Sequence, residues 1–304
     1  MSLMVRTNFQ DIFDNLLPAI DTIYIQSRDL DESKAPWKQI FGVKKSKRQF
    51  EQVTGFTGFP KFGTVAEGAD IPLMKVGQLF DKKFTHTKWA GAWQVSEEME
   101  DDDQYELVAS LARAFARSFR FTKEVDMANV LNNGFGTEDA ADGSDVFATH
   151  TLFDQSTISN LSTADFGVSA AQAVYNSFAT LTDDQGIRIH LSPAYIVANP
   201  AMRWVIGEVL GSEYKPYVAT NERNVLYEES LKEIYWPEIT DTDAWFVFTK
   251  PGDLNDNGLR IYERQNFTTS TDFYVRNLTM ISVGRGRWSR GVIDWRQGYA
   301  SQGA

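Results

Sequence analysis

His86, His150 and His190 are the only imidazoles in a chain of 304 residues, and they stand 64 and 40 residues apart. A zinc site or a nucleophile–base–acid triad needs such groups to converge, and no local ligand spacing brings them together here. Each therefore reads as an ordinary polar residue. Cysteine is absent, which excludes disulfides, thiolate metal sites and a cysteine nucleophile. No serine lies in a G-x-S-x-G elbow, and no pair of carboxylates is singled out by its surroundings. Asp253-Leu254-Asn255-Asp256-Asn257-Gly258 imitates the start of a calcium loop, with oxygen ligands at alternate positions and glycine sixth. The twelfth position, which needs a bidentate glutamate, is Arg264, so a tight turn is the better reading. Asp101-Asp102-Asp103 offers carboxylates to a divalent ion, but helix capping accounts for them without one. Gly284-Arg285-Gly286-Arg287 lacks any phosphate-cradling pattern and reads as a strand bearing exposed arginines. The sequons at Asn160, Asn266 and Asn277 matter only in a secreted eukaryotic protein. No catalytic, cofactor-binding or metal-binding residue is assigned, and the expectation is a protein that is not an enzyme.

With 42% apolar and 13% aromatic residues the chain can fill one large or two medium cores. Its apolar runs fall far short of the roughly 18–20 residues that span a bilayer, and no apolar stretch ending in small residues follows Arg6 as in a secretory signal. The net charge of −11 argues against a protein that wraps nucleic acid. Residues 96–263 hold 29 acidic against 11 basic side chains, whereas 1–50 hold 8 basic and 6 acidic and 264–304 hold 6 and 2. Opposite signs on separate stretches suit steering between copies; a solvated acidic surface explains the same numbers.

Phe9, Ile12, Phe13, Leu16, Leu17, Ile20 and Ile23 recur at helical spacing over 6–30, interrupted by Pro18, as a sticky arm. Pro36-Trp37 and the basic run Lys44, Lys45, Lys47 and Arg48 read as an extended connection. From 50 to 95, aromatic and β-branched residues alternate between Gly55, Gly58, Gly63, Gly68 and Gly77, the pattern of a long two-stranded excursion. Arms of about 22 residues would reach at most ~70 Å and would need a partner surface. Ser96 and the carboxylates after it start a long helix, about 31 residues and ~46 Å, carrying Leu107, Val108, Leu111, Phe115, Phe119, Val125, Val130 and Leu131 and ended by Asn133-Gly134. An acidic loop over 134–144 precedes an alternation of helix 169–181, a turn at 183–186, strand 195–198 and helix 200–210. Further strands are read at 225–227, 233–236 and 244–249, then a turn over 250–258 and strand alternation from 260 to 295.

Three stretches carry a resemblance. Val65-Ala66-Glu67-Gly68-Ala69-Asp70-Ile71-Pro72 is similar to the extended-loop segment of the major capsid proteins of tailed bacteriophages. Lys88 to Asp102, with its V-S-E-E-x-x-x-D pattern, resembles their strand into the spine helix, and 171–210, with Tyr195-Ile196-Val197-Ala198-Asn199-Pro200, resembles the helix, strand and helix of their axial domain. Among subfamilies the chain looks closest to the Mu-like major head subunits.

The resemblance implies an α+β chain with the Hong Kong 97-type capsid fold. Its parts would be an N-terminal arm (1–49), an extended loop or β-hairpin (50–95), a peripheral domain with the spine helix (96–145 and 260–304) and an axial domain (146–259). It implies a shell subunit of the virion capsid, made in the host cytoplasm. That subunit would assemble as pentamers and hexamers into an icosahedral container for double-stranded DNA, which would lie against a largely acidic lining. Implied partners are other copies of the chain, a scaffolding protein and maturation protease, a portal protein, decoration proteins and the packaged DNA, with no membrane and no cofactor. No long charged pre-sequence stands in the chain, which implies a separate scaffold or an already processed sequence. Some family members crosslink a loop lysine to a peripheral asparagine; Lys61 and Lys75 lie in the loop, but no motif aligns either. The rival readings are an encapsulin-type nanocompartment shell, a tail or head-completion protein, and an enzyme with an unrecognised site.

Overall fold

The computed structural model describes residues 35–303 apart from 97, 100–106, 217–221, 230 and 275. The amphipathic stretch 6–30 and Asp101, Asp102 and Asp103 lie outside the described residues. In chain order the strands and α-helices begin with β1 (Gly42–Lys45), β2 (Phe50–Phe56), β3 (Gln78–Thr85), β4 (Thr87–Ser96) and α1 (Leu107–Asn132). They continue with β5 (Thr149–Thr151), β6 (Thr157–Ser159), β7 (Leu161–Ser162), α2 (Val168–Thr180), β8 (Tyr195–Ala198), α3 (Arg203–Gly211) and β9 (Lys232–Tyr235). β10 (Trp245–Phe248), β11 (Leu259–Tyr274), β12 (Thr279–Val292) and β13 (Gly298–Ser301) complete the chain. The chain divides into two compact units, one of Met1–Ala35, His86–Asp126 and Glu263–Ser289, the other of Pro36–Thr85, Met127–Tyr262 and Arg290–Ala304.

The first unit is built on one helical stripe. Val108, Ala112, Phe115, Ala116 and Phe119 fall on one face of α1, and they pack against Trp93, Val95, Phe267 and Met280 of β4, β11 and β12. Phe115 and Phe119 fit because the sheet is hollowed beneath them. Gly91 and Gly284 are direct cross-strand partners, and a Cβ on Gly284 would stand 2.6 Å from both Phe115 and Phe267. Gly286 makes the same room for Phe119. The glycines of Gly284-Arg285-Gly286-Arg287 thus form an aromatic slot, while Arg285 is exposed and Arg287 half-buried. Further along α1, Lys123 Nζ donates to Glu263 Oε1 at 2.6 Å, with only 9% and 11% of the two side chains exposed. Trp288 Nε1 donates to Asp126 Oδ2 at 2.7 Å. The 26 described residues of α1 span about 39 Å.

The second unit contains a five-stranded sheet in the order β7-β13-β10-β8-β9. All four residues of β10, Trp245-Phe246-Val247-Phe248, are buried, as a central strand covered on both faces requires. β8 pairs antiparallel with β10, from Trp245↔Ala198 to Phe248↔Tyr195, and β9 continues parallel to β8. α2 buries Ala171, Val174 and Phe178, and α3 buries Ile206, Val209 and Leu210. Phe135, Phe147 and Phe246 pack with ring centroids 5.3–5.7 Å apart, and Gly134, which ends α1, has no room for a Cβ against Phe147.

Three elements differ from the sequence reading. Residues 87–96 are not the second arm of the excursion: as β4 they pair with β12, from Thr279↔Ser96 to Trp288↔Thr87, because their small and aromatic residues match the glycines there. Residues 225–227 form a 3-10 turn rather than a strand, since the Asn224 side chain accepts from Leu226 N and caps it. The last strand, β13, lies beside β10, from Trp245↔Ser301 to Phe248↔Gly298, so residues 298–301 complete the sheet of the second unit.

Candidate assembly surface

The histidines do not converge. His86 lies in the first unit, with Nδ1 3.0 Å from Ser289 Oγ. In the second, His150 is buried, stacks on Trp295 at 4.0 Å and sets Nδ1 2.6 Å from Asp142 Oδ2, while His190 is exposed. Two oxygens of the calcium-like turn are taken by a guanidinium: Arg260 Nε donates to Asp256 O at 2.7 Å and Nη2 to Asn257 Oδ1 at 2.8 Å. Asn255 and Asp256 adopt left-handed backbone to present them. Among the described residues no three His, Asp or Glu side chains come together as a metal site. A cavity of about 220 Å³ is lined by Phe80, Asp142, Phe153, Asp184, Asp294 and Arg296, but Arg296 sits within 3.3 Å of Asp184 and of Asp294. Those charges serve each other rather than a substrate.

Groups with displaced titration also lie apart. Ser156 hydrogen bonds lower the Asp154 carboxyl, burial pushes Tyr175 up to about 12, and burial followed by the Glu233 hydrogen bond raises Tyr235. Neither tyrosine supplies a base near neutral pH. Of the sequon asparagines, Asn160 is a buried brace, accepting from Ala148 N and donating to Val146 O and Gly298 O. Asn266 and Asn277 are exposed.

What the described surface offers is an apolar projection. β2 and β3 pair from Phe50↔Thr85 to Phe56↔Gln78, with a bulge between Thr54 and Phe56. The base of this hairpin is anchored in its own unit by Val53, Phe80 and Phe84 against Tyr262 and Ile293. Lys82 Nζ adds a hydrogen bond to Asp139 O at 2.9 Å. At the neck, Thr57 N donates to Gly77 O and Gly77 N to Thr57 Oγ1, both at 3.0 Å, closing the loop beyond. Residues 58–77 form no strand, since Pro60 and Pro72 lack a ladder donor and Gly58 and Gly68 take positive φ. The excursion is therefore two arms of 7 and 8 residues, about 25 Å, with an open tip. Phe62, Ile71 and Leu73 in that tip are 91%, 83% and 96% exposed, and Phe56, Phe59, Val65 and Val76 join them. Lys61 and Lys75 are exposed beside them. So many large apolar side chains on one projection mark a surface made to be covered.

The sequence model described as phage capsid protein matches residues 80–301. The chain belongs to the phage capsid protein family. Solved chains of similar fold include one from Microbacterium phage Oxtober96, 10% identical with a TM-score of 0.56 over 89% of this chain and 91% of that one. Another, from Mycobacterium phage Patience, is 10% identical with a TM-score of 0.57 over 94% and 87%. A third, in the capsid of cyanophage P-SCSP1u, is 13% identical with a TM-score of 0.54 over 88% of each. Such identities show the fold, which is the Hong Kong 97-type capsid fold expected from the sequence. No curated protein matches. The capsid protein is thus a structural component of a phage shell rather than an enzyme. Among its described residues no helix is long and apolar enough to cross a membrane.

The projection leaves a weak trace in the sequence: Phe56, Phe59, Phe62, Ile71 and Leu73 stand among glycines and prolines, where no core can form around them. The aromatic slot leaves none, because a strand glycine does not announce which ring it admits.

Proposed function

We propose that the capsid protein assembles into pentamers and hexamers that close an icosahedral shell around double-stranded DNA, with the hairpin tip of each copy laid over a neighbour. The observation that carries this reading is the apolar tip on a base anchored in its own unit: the base needs no partner and the tip does. Burial of one such side chain is worth about 1.5–3 kcal/mol, so Phe59, Phe62, Ile71 and Leu73 together supply up to about 6–12 kcal/mol per loop before association costs. Repeated over every copy, contacts of this size hold a container together. In the same reading the chain is organised as arm, extended loop, peripheral domain with the spine helix, and axial domain at the capsomer centre. It is made in the host cytoplasm and works with a scaffolding protein, a maturation protease, a portal and decoration proteins. Negative-stain electron microscopy of the expressed protein, alone and with neighbouring head-gene products, tests this. Closed shells or capsomer rings that vanish on deletion of 59–71 are expected. Monodisperse monomers under every condition would overturn it.

A further inference from the structure

The sheet of the first unit has one face under α1 and a second face that α1 does not cover. Side chains alternate along each strand, so Lys88 of β4, Arg285 and Arg287 of β12 and Arg264 of β11 all fall on that second face. Arg287 stands directly opposite Lys88 in the pairing of β12 with β4. Like charges in that position destabilise a sheet unless something else answers them. Among the described residues none of the four has a salt-bridge partner, and Arg287 Nε is out of contact with water without a hydrogen-bond acceptor. Between them lie neutral residues, Ala90, Asn266 and Thr268. The fold has thus gathered four cations on a sheet face and left them without a counter-charge.

The counter-charge is carried elsewhere in the sequence. Residues 97–106 carry seven carboxylates in ten positions: Glu97, Glu98, Glu100, Asp101, Asp102, Asp103 and Glu106. They follow directly on Ser96, the last residue of β4, whereas Lys88 lies near its first. Eight residues of strand set these two positions about 26 Å apart. At the Ser96 end the chain turns at once, with Met99 N donating to Ser96 Oγ at 3.4 Å. In sequence, one copy therefore carries Lys88 near the start of β4 and carboxylates after its end, and such self-complementary charge suits a head-to-tail contact that closes into rings when the rotation allows.

We propose that the face made by Lys88, Arg264, Arg285 and Arg287 docks the acidic stretch 97–106 of a second copy. This rests on the shell reading above and names one contact within it. Each docking event answers charges that the described residues of one subunit leave without a counter-charge, so it forms between copies and weakens as salt rises.

The absence of cysteine permits a cross-link without background. Arg285→Cys and Asp102→Cys variants, assembled as a mixture and oxidised, are expected to give a disulfide-linked pair with one of each. Neither variant assembled alone should give it, and it should not form when the mixture is brought together and oxidised at about 1 M salt, where the screening length is about 3 Å. Arg285→Glu with Arg287→Glu should abolish particles without lowering the thermal midpoint of the subunit, since Glu at 287 faces Lys88 across the strands. Adding Asp101→Lys, Asp102→Lys and Asp103→Lys should restore them. Wild-type particles with neither cross-link nor rescue would overturn this contact and leave the shell reading standing, whereas a wild-type chain that forms no particle removes both. Glu variants that assemble normally but hold no DNA would assign the basic face to the packaged duplex and overturn the contact.

Discussion

Single side chains in this protein act mainly as substitutes for backbone or solvent. Asn160 satisfies one amide and several carbonyls where β7 meets β13, so Asn160→Ala strands buried groups at Ala148, Val146 and Gly298. A loss of about 3 kcal/mol is expected from urea unfolding, at the usual cost of about 1–3 kcal/mol for each unsatisfied buried group. Lys123 and Glu263 form a pair almost shut off from water. Glu263→Gln should cost about 3–5 kcal/mol by leaving Lys123 charged and alone, while Lys123→Met with Glu263→Leu should recover most of that. A double variant as unstable as the single one would mean the pair is needed for more than mutual neutralisation. Arg260 holds two oxygens of the calcium-like turn and Arg264 stands where a bidentate glutamate is needed, so added calcium should leave the thermal midpoint unmoved.

Elements differ in how plainly their sequence declares them. β8 at Tyr195–Ala198 and α2 at Val168–Thr180 stand within a residue of where their apolar periods place them, because each period is local. Pairing is not local. The alternation in β4 fits any strand with a complementary face, and only β12, with Gly284 and Gly286 under Phe115 and Phe119, shows why it pairs there. β13 was equally hidden, since four residues cannot state which sheet they join. The slot predicts that Gly284→Ala costs about 1–3 kcal/mol by overpacking, and that Phe115→Leu in the same chain relieves only part of it, since Phe267 stands equally close. The hairpin predicts the reverse separation of stability from assembly. Replacing Phe59, Phe62, Ile71 and Leu73 by serine should leave the melting temperature of the subunit within its error, since the tip is exposed, and should abolish particles. A subunit that unfolds instead would mean the tip packs on its own copy.

For the whole molecule, sequence and structure converge on a chain whose surfaces are unfinished. Apolar side chains crowd the hairpin tip, four cations share the sheet face that α1 does not cover, and seven carboxylates follow β4 in the sequence. An enzyme of this size would bring polar groups together in a pocket; here Arg296 of the cavity lining pairs with Asp184 and Asp294, and Asp142 with His150. The apolar and charged contacts respond to salt differently, since screening weakens ion pairs and spares apolar burial. Assembly near neutral pH should accordingly slow as salt rises, while particles already closed should persist, which light scattering can follow. The central claim, that one copy is completed by another, is tested most directly by a cryo-electron-microscopy reconstruction of assembled particles. Density for residues 58–77 lying against a neighbouring copy, with Phe62, Ile71 and Leu73 covered, is the predicted result. A tip folded back on its own copy, or standing free in solvent within closed shells, would contradict it.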